Sequence, residues 1–127
     1  MITLIPLNDL FSIYQLTNKQ EIPPDIISSG FFSVTKTDDE ISIVTNCRTD
    51  FEFLKSGKKW KGFKVDGILD FSLVGIINEI TKPLKDNGIS VFVLSTFNTD
   101  YIFVMKDSFD KAIDIFKFTD NIRVNRK

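Results

Sequence analysis

The sequence predicts an α+β protein built from two tandem β-α-β-β-α-β modules, the first of them with a reduced first helix. Three observations lead to this prediction. Short runs rich in β-branched and aromatic residues are separated by turn-forming residues, as in strands joined by hairpins. Two longer segments carry apolar side chains on one helical face. The hairpin pattern of the first half also recurs in the second half, so we expect modules at residues 1–59 and 60–127.

The first half contains three predicted strands, which are rich in Val, Ile, Phe and Tyr. The acidic run Asp38-Asp39-Glu40 forms the turn between the second and third of them. Prolines and a glycine make residues 17–30 a loop with one short helical turn, and a second short helix is predicted over residues 50–55, ended by Ser56-Gly57. The three strands span Phe11 to Leu16, Phe31 to Thr37 and Ile41 to Asn46.

The second half contains a longer predicted helix, residues 71–87, whose apolar side chains recur with helical spacing. Asp70 stands at its N-cap position and Gly88 just after its C-cap. The run Ile89 to Thr96 is apolar on both faces, which predicts a central strand covered on both sides. This order is typical of ferredoxin-like folds. The other predicted elements are strands at residues 60–65, 100–106 and 122–124 and a helix capped by Ser108.

An internal repeat aligns Phe32–Val44 without a gap to Phe92–Val104, at an offset of 60 residues. Because any two hairpins share an apolar alternation, the match gains weight from the strand before each hairpin and the helix candidate after it. We therefore interpret the chain as two copies of one module.

Composition excludes several classes of function. The 16 basic and 17 acidic residues leave a formal charge of −1, which lacks the basic field that nucleic-acid binding requires. The chain has no histidine and a single cysteine, Cys47, so the usual zinc, Ser-His and Cys-His sites cannot be built. We predict no metal, no cofactor, no nucleic-acid partner and no enzymatic activity.

The sequence also lacks the signals of membrane proteins. No apolar run approaches the roughly 18 residues that span a bilayer, and the N-terminus lacks the basic region of a signal peptide. A thiol-poor chain is typical of a reducing compartment. We predict no membrane partner and a cytoplasmic location.

Two segments are candidates for a ligand site. At the start of the predicted helix, near Asp70, unpaired backbone amides favour a carboxylate or phosphate, although a capping role alone also explains Asp70. In the turn from Ser95 to Asp100, Thr96, Asn98 and Asp100 could bind an ammonium or guanidinium group. Phe97 could cover an apolar stem of the ligand. A hydrogen-bonded turn without a ligand is the alternative.

Two segments of the chain resemble a known family. They are GFFSVTKTDDEISIV (Gly30 to Val44) and FKVDGILDFSLVGIINEITKPLKDNGISVFVLSTFNTDYIFV (Phe63 to Val104). Together they resemble small proteins with two ACT domains in tandem, which are related to the regulatory domains of aspartate kinase and to the eukaryotic cytosolic arginine sensors. The combination of DFSLVGI, PL-x-x-x-GIS and STFNTDY is the specific part of the resemblance.

The resemblance implies ferredoxin-like modules that pair side by side and bind an amino acid at their interface. It implies ligand contacts on the first helix of the second module, on the following strand and in the next turn. Leu73 stands where the arginine sensors have a carboxylate. Arginine would lack this charged partner here, so both arginine and a smaller or more apolar amino acid are possible ligands. The implied ligand-binding residues are Asp70, Phe71, Leu73, Ile76, Ser90, Val91, Thr96, Phe97 and Asp100.

The resulting hypothesis is a regulatory sensor module that forms a homodimer and holds an amino acid between modules or subunits. A protein-interaction or assembly module with a degenerate pocket is the main alternative. An enzyme that acts on an amino acid through Asp70 and Asp100 is a third hypothesis, which no constellation of residues favours. Because the first module lacks a full first helix, we expect it to act as a packing partner more than as a second equal site.

Overall fold

A computed structural model describes residues 1–48, 51–67 and 75–125 of the chain. It divides the chain into two compact units, which we call the first unit (Asp9–Trp60) and the second unit (Met1–Asn8 together with Lys61–Lys127). The elements in chain order are β1 (Ile2–Pro6), β2 (Phe11–Leu16), α1 (Pro24–Ile27), β3 (Phe32–Lys36), β4 (Ile41–Thr45), β5 (Lys55–Val65), α2 (Ile76–Asp86), β6 (Val91–Ser95), β7 (Asp100–Met105), α3 (Phe109–Lys117) and β8 (Ile122–Val124).

The first unit is an antiparallel sheet in the order β3-β4-β2-β5, in which only the first part of β5 takes part. Its core lies on one face of the sheet, around residues that alternate along the strands. The single turn of α1 inserts Ile26 into this core, where it is fully buried. The predicted reduced first helix is therefore confirmed. The buried core residues are Tyr14, Leu16, Ile26, Ile41 and Ile43.

The prediction of a short helix over residues 50–55 is wrong for those of its residues that the structure describes. Residues 51–54 are not helical, and Lys55 already begins β5. Ser56-Gly57 lies inside this strand and does not end an element. A Cβ on Gly57 would crowd its neighbours, because it would lie 2.9 Å from Ile13 Cγ2 and 3.4 Å from Trp60 Nε1.

The second unit is a sheet in the order β8-β1-β5-β7-β6, with α2 and α3 packed on one face. The N-terminal strand β1, which the sequence does not predict, pairs antiparallel with β5 and parallel with β8. Residues 1–8 therefore belong to the second unit, whereas the predicted division assigns them to the first module. The fully buried side chains of its core include Leu4, Phe63, Ile80, Leu84, Ile102, Val104 and Phe116.

The long helix of the second unit begins later than predicted. α2 starts at Ile76 after Gly75, whose φ of 85° is a left-handed conformation that a helix interior does not allow. The predicted N-cap Asp70 and the predicted first turn at residues 71–74 lie outside the described residues. The predicted end is confirmed, because Asn87 is the C-cap and Gly88 has a φ of 73°.

The strand β6 lies at the edge of the sheet, which corrects the prediction of a central strand. In the part of the chain that the structure describes, β6 pairs with β7 alone. Both of its faces are apolar for different reasons: Val91 and Val93 pack against the core, while Phe92 stacks on Phe103 on the other face at 4.7 Å between ring centroids. Apolar faces thus do not imply two strand neighbours.

The second helix of this unit has the predicted buried face. Phe109, Ala112, Ile113 and Phe116 are all buried in the core. Ser108 stands at the predicted N-cap position but makes no side-chain capping hydrogen bond, because a 3₁₀ turn (Lys106–Ser108) leads directly into α3. No helix among the described residues is long and apolar enough to cross a membrane.

The two hairpins repeat at an offset of 59 residues, one fewer than the sequence alignment gives. Lys36 pairs with Ile41 across the first turn, and Ser95 pairs with Asp100 across the second. At this offset Val34 corresponds to Val93, and each packs against the core of its own unit. Because side chains alternate between the two faces of a strand, shifting the alignment by one residue matches the core face of one hairpin to the outer face of the other. Matching apolar residues alone does not reveal this shift here.

Candidate functional site

The turn between β6 and β7 is held together by its own threonines. The Thr96 amide donates to the Thr99 carbonyl at 2.8 Å, and Thr96 Oγ1 accepts a hydrogen bond from the Thr99 amide at 3.2 Å. Thr99 is buried, and its hydroxyl donates to the Val65 carbonyl at 2.8 Å, which fixes the turn to β5. The predicted ligand residue Thr96 is therefore engaged in the turn itself.

Asp100 is the charged group of this turn. It is half-buried at the first position of β7, and its Oδ1 accepts a hydrogen bond from Ser95 Oγ at 2.5 Å. One carboxylate oxygen is thus used to orient the group, while Oδ2 remains able to accept a hydrogen bond from a ligand cation. Phe97, in the same turn, is 81% exposed, so the turn also presents an apolar ring at the surface.

A cavity of about 400 Å³ lies at the opposite end of β6. One wall is the exposed side of α2, and the other is the approach to β6, which includes the predicted residue Val91. Ile89 and Val91 give the cavity an apolar side, while the helix contributes polar and basic groups. Those helix residues are Asn78, Thr81, Lys82 and Lys85.

The basic groups of this cavity differ in their partners. Lys82 Nζ donates to Asp86 Oδ2 at 2.8 Å, an exposed pair one helical turn apart. This hydrogen bond lowers the pKa of the Asp86 carboxyl below its ordinary value of 3.8. The charge of Lys85, the preceding residue, also lowers the pKa of Asp86, although no ion pair of Lys85 is found among the residues that the structure describes.

The structure separates the predicted ligand residues into two groups. Ser90 is exposed and Val91 half-buried at the start of β6. The half-buried Ile76 begins α2, at the opposite end of that helix from the turn that leads into β6. Thr96, Phe97 and Asp100 lie at the other end of the strand. The five residues of β6 span roughly 13 Å at about 3.3 Å each. One small amino acid cannot contact both groups within a single unit. Asp70, Phe71 and Leu73 lie outside the described residues.

Sequence reasoning missed the helix side of the cavity. Asn78, Thr81, Lys82 and Lys85 recur at the spacing of one helical face, which is a readable signal. The polar face of an amphipathic helix is usually solvent-exposed, so this spacing alone does not mark a ligand site. No group of acidic, cysteine or histidine side chains that could hold a metal ion occurs within the described ranges.

Comparison with known proteins identifies the family. The family model described as ACT domain matches residues 55–117, and a second model, described as an N-terminal domain, matches residues 9–51. The chain therefore belongs to the ACT-domain proteins, as the resemblance implied.

A curated relative is the Rattus norvegicus "Cytosolic arginine sensor for mTORC1 subunit 1", which is 32% identical over 100 residues. The match covers 72% of this chain, and the chain spans about 30% of the length of that relative. Human and bovine proteins of the same name match at 31% identity.

Two solved structures support the fold. A protein of Agrobacterium tumefaciens is 32% identical, with a TM-score of 0.87 and coverage of 99% of this chain and 93% of that chain. The regulatory subunit of aspartate kinase from Thermus thermophilus has a TM-score of 0.59 at 8% identity, covering 93% of this chain and 97% of that chain. The tandem α+β fold predicted from the sequence is confirmed.

Proposed function

We propose that this chain is a regulatory module that binds an amino acid where the edge strand β6 meets another edge strand. Its membership of the ACT-domain proteins and its similarity to a protein named as an arginine sensor support a role in amino-acid sensing. The cytosolic location in that relative's name supports a cytoplasmic location for this chain. The proposal assigns no catalytic step to any residue.

The separation of the two groups of ligand residues along β6 is the observation on which the proposal rests. An antiparallel pairing of two β6 edges brings the start of one strand beside the end of the other. The Val91 end and the Asp100 end, roughly 13 Å apart in one unit, then come together across the seam. The apolar, uncharged sequence of β6 favours such pairing, since an exposed apolar edge is a template for another strand.

The charges at the two ends complement a zwitterion. Asp100 offers a carboxylate to the ligand's ammonium or guanidinium group, and Phe97 offers an apolar surface beside it. Lys85 at the cavity by Val91 offers an ammonium group to the ligand's carboxylate. Leu73, which lies outside the described residues, replaces the carboxylate of the arginine sensors, so we expect neutral amino acids to bind at least as well as arginine.

Regulation follows if the ligand binds the paired edges better than a single edge. A ligand that binds only the paired state stabilises that state by mass action, and it thereby couples amino-acid concentration to assembly. We propose a homodimer formed through β6 as the simplest form of this assembly.

A second candidate function is a protein-assembly module without a ligand. The hydrogen bonds within the turn favour this alternative, because Thr96 and one oxygen of Asp100 already have partners there. Under this alternative the β6 edge still associates, and amino acids change neither the assembly nor the stability.

A thermal-shift screen against the twenty amino acids tests the proposal. We expect one or a few amino acids to raise the melting temperature at millimolar concentration. Asp100→Ala should abolish this shift, while Asp120→Ala, which removes an exposed carboxylate elsewhere in the second unit, should leave it unchanged.

Light scattering after size-exclusion chromatography tests the assembly. We expect a dimer that Leu94→Lys converts to a monomer, because a lysine on β6 opposes edge pairing. A strictly monomeric wild-type protein, or a screen without any shift, would contradict the proposed function. A dimer that no amino acid affects would favour the assembly module.

A further inference from the structure

We propose that the first unit has a separate site for a zwitterionic amino acid on the face of its sheet opposite the core. A cavity of about 380 Å³ lies on this face, lined by residues of β2, β4, β5 and the end of the first hairpin turn. The residues that carry the proposal are Ile13, Gln15, Glu40, Ser42, Lys55 and Gly57.

The strand register places these side chains in two rows. Gln15 pairs with Ser42 on one side and with Lys55 on the other, so these three polar groups form one row across three strands. Ile13 pairs with Gly57 in the next row. Because the core residues Tyr14 and Leu16 alternate with Ile13 and Gln15, both rows face away from the core.

Glu40 and Lys55 place opposite charges at the two sides of this groove. They do not pair with each other, and the carboxylate of Glu40 accepts only a long hydrogen bond, 3.4 Å, from the Gln15 side-chain amide. The backbone of Glu40 is fixed by the turn, since its amide donates to Thr37 Oγ1 at 3.2 Å and its carbonyl accepts from the Thr37 amide at 2.9 Å. The groove thus has the Glu40 carboxyl group at one side and the exposed Lys55 ammonium group at the other, and the neutral side chains of Ser42 and Gln15 also line it.

The width of the groove suits a zwitterion. The outer two strands of a three-strand row lie about 10 Å apart. The ammonium nitrogen and carboxyl carbon of an amino acid lie about 2.5 Å apart, so with a hydrogen bond at each end the ligand spans roughly 8 Å. A ligand carboxylate can then reach Lys55 while its ammonium group reaches Glu40.

The second row selects for an apolar side chain. Gly57 leaves the floor of the groove flat, and a Cβ at this position would already meet Ile13 Cγ2 at 2.9 Å. The half-exposed Ile13 provides an apolar surface that a ligand side chain can cover. The site therefore favours amino acids such as leucine over charged ones.

An NMR titration with three probes tests this site. Leucine has both charges, 4-methylpentanoate lacks the ammonium group, and 3-methylbutylamine lacks the carboxylate. We expect leucine to shift the amide resonances of Gln15, Ser42 and Gly57 in a saturable way at millimolar concentration. Each single-charge analogue should bind at least about tenfold more weakly, the effect of losing one charge-assisted contact.

Variants of the full chain separate this site from the surface around it. Lys55→Gln and Glu40→Gln should each weaken leucine binding about tenfold, whereas Lys36→Gln, an exposed lysine on β3 outside the groove, should not. Equal affinity of Lys55→Gln and wild type, or the absence of saturable shifts at the three amides, would overturn the proposal.

The site at β6 is tested in the same spectra. Asp100→Ala should leave the shifts at Gln15 and Gly57 unchanged, because Asp100 lies in the other unit. If leucine shifts only resonances near Val91 and Asp100, the groove proposal fails and the proposed function stands. If leucine shifts only the groove resonances, the groove proposal stands and the proposed function at β6 fails.

Discussion

The two hairpins of this chain share one turn geometry and differ in the chemistry that follows it. Thr37 and Thr96 begin four-residue turns in which the threonine amide donates to the fourth carbonyl and the threonine hydroxyl accepts from the fourth amide. The next residue is the buried Ile41 in the first hairpin and the half-buried Asp100 in the second. The same turn therefore joins the strands of both hairpins, and the residue that follows it is apolar in the first hairpin and charged in the second.

The edge strands of the two units differ in the same way. The edge strand β3 alternates polar and apolar residues and ends with exposed Thr35 and Lys36, which discourage pairing with another chain. The edge strand β6 contains Val91, Phe92, Val93 and Leu94 in succession and no charged residue. The edge of β6 is therefore better suited to strand pairing than the edge of β3.

The glycines of β5 give the largest expected difference between the units. A Cβ on Gly62 would lie 2.8 Å from Cε1 of Phe103, a fully buried ring that Phe92 holds by stacking. We expect Gly62→Ala to lower the free energy of unfolding by about 1–3 kcal/mol. Gly57→Ala should cost about 1 kcal/mol or less, because the half-exposed Ile13 can rotate away. Urea unfolding followed by circular dichroism measures both, and a larger cost for Gly57→Ala would contradict this ranking.

The turn threonines give a smaller and equal effect in both units. Thr37→Val and Thr96→Val each remove the hydroxyl that accepts a turn amide, and we expect a cost of about 1 kcal/mol for each. Thr35→Val, on the exposed edge strand, serves as the control. Calorimetric melting measures these differences. A cost for Phe97→Ser equal to that of Thr37→Val would instead support the 60-residue alignment, which makes those two positions equivalent.

The ion pair on α2 gives the smallest effect and has no counterpart on the single-turn helix of the first unit. Because the pKa of Asp86 is lowered in the folded state, its contribution to stability is present above the ordinary value of 3.8 and is lost as the pH falls through the folded value. Asp86→Asn should therefore lower the melting temperature slightly at neutral pH and not in strong acid. Asp114→Asn is the control, and a pH-independent difference would contradict the assignment.

Local patterns predicted most elements, and long-range pairing explains the errors. The buried face of α3 and the Gly88 end of α2 follow from spacing and capping rules that act within one helix. The position of β1 in the sheet does not follow from local rules, because its partner residues Val65 and Ile122 lie far along the chain. Gly57 likewise looked like a helix breaker, since its need for space comes from Ile13 on another strand.

The sequence proposes residues for the candidate site but not their arrangement. The polar turn and the family resemblance point to Asp100, and the resemblance alone points to Val91; both residues are half-buried in the structure. Their separation by the length of β6 depends on which strand lies at the edge of the sheet, and apolar faces gave the wrong answer for that strand.

The pairing of β1 also has a consequence for synthesis on the ribosome. This strand leaves the ribosome before both of its partner strands, since Leu4 pairs with Val65 and Ile2 with Ile122. The intervening residues 9–60 can complete their own sheet while the strand waits for its neighbours. Such distant contacts raise the contact order and slow the final step of folding. A nascent chain stalled before residue 122 would thus hold one finished sheet and one open one.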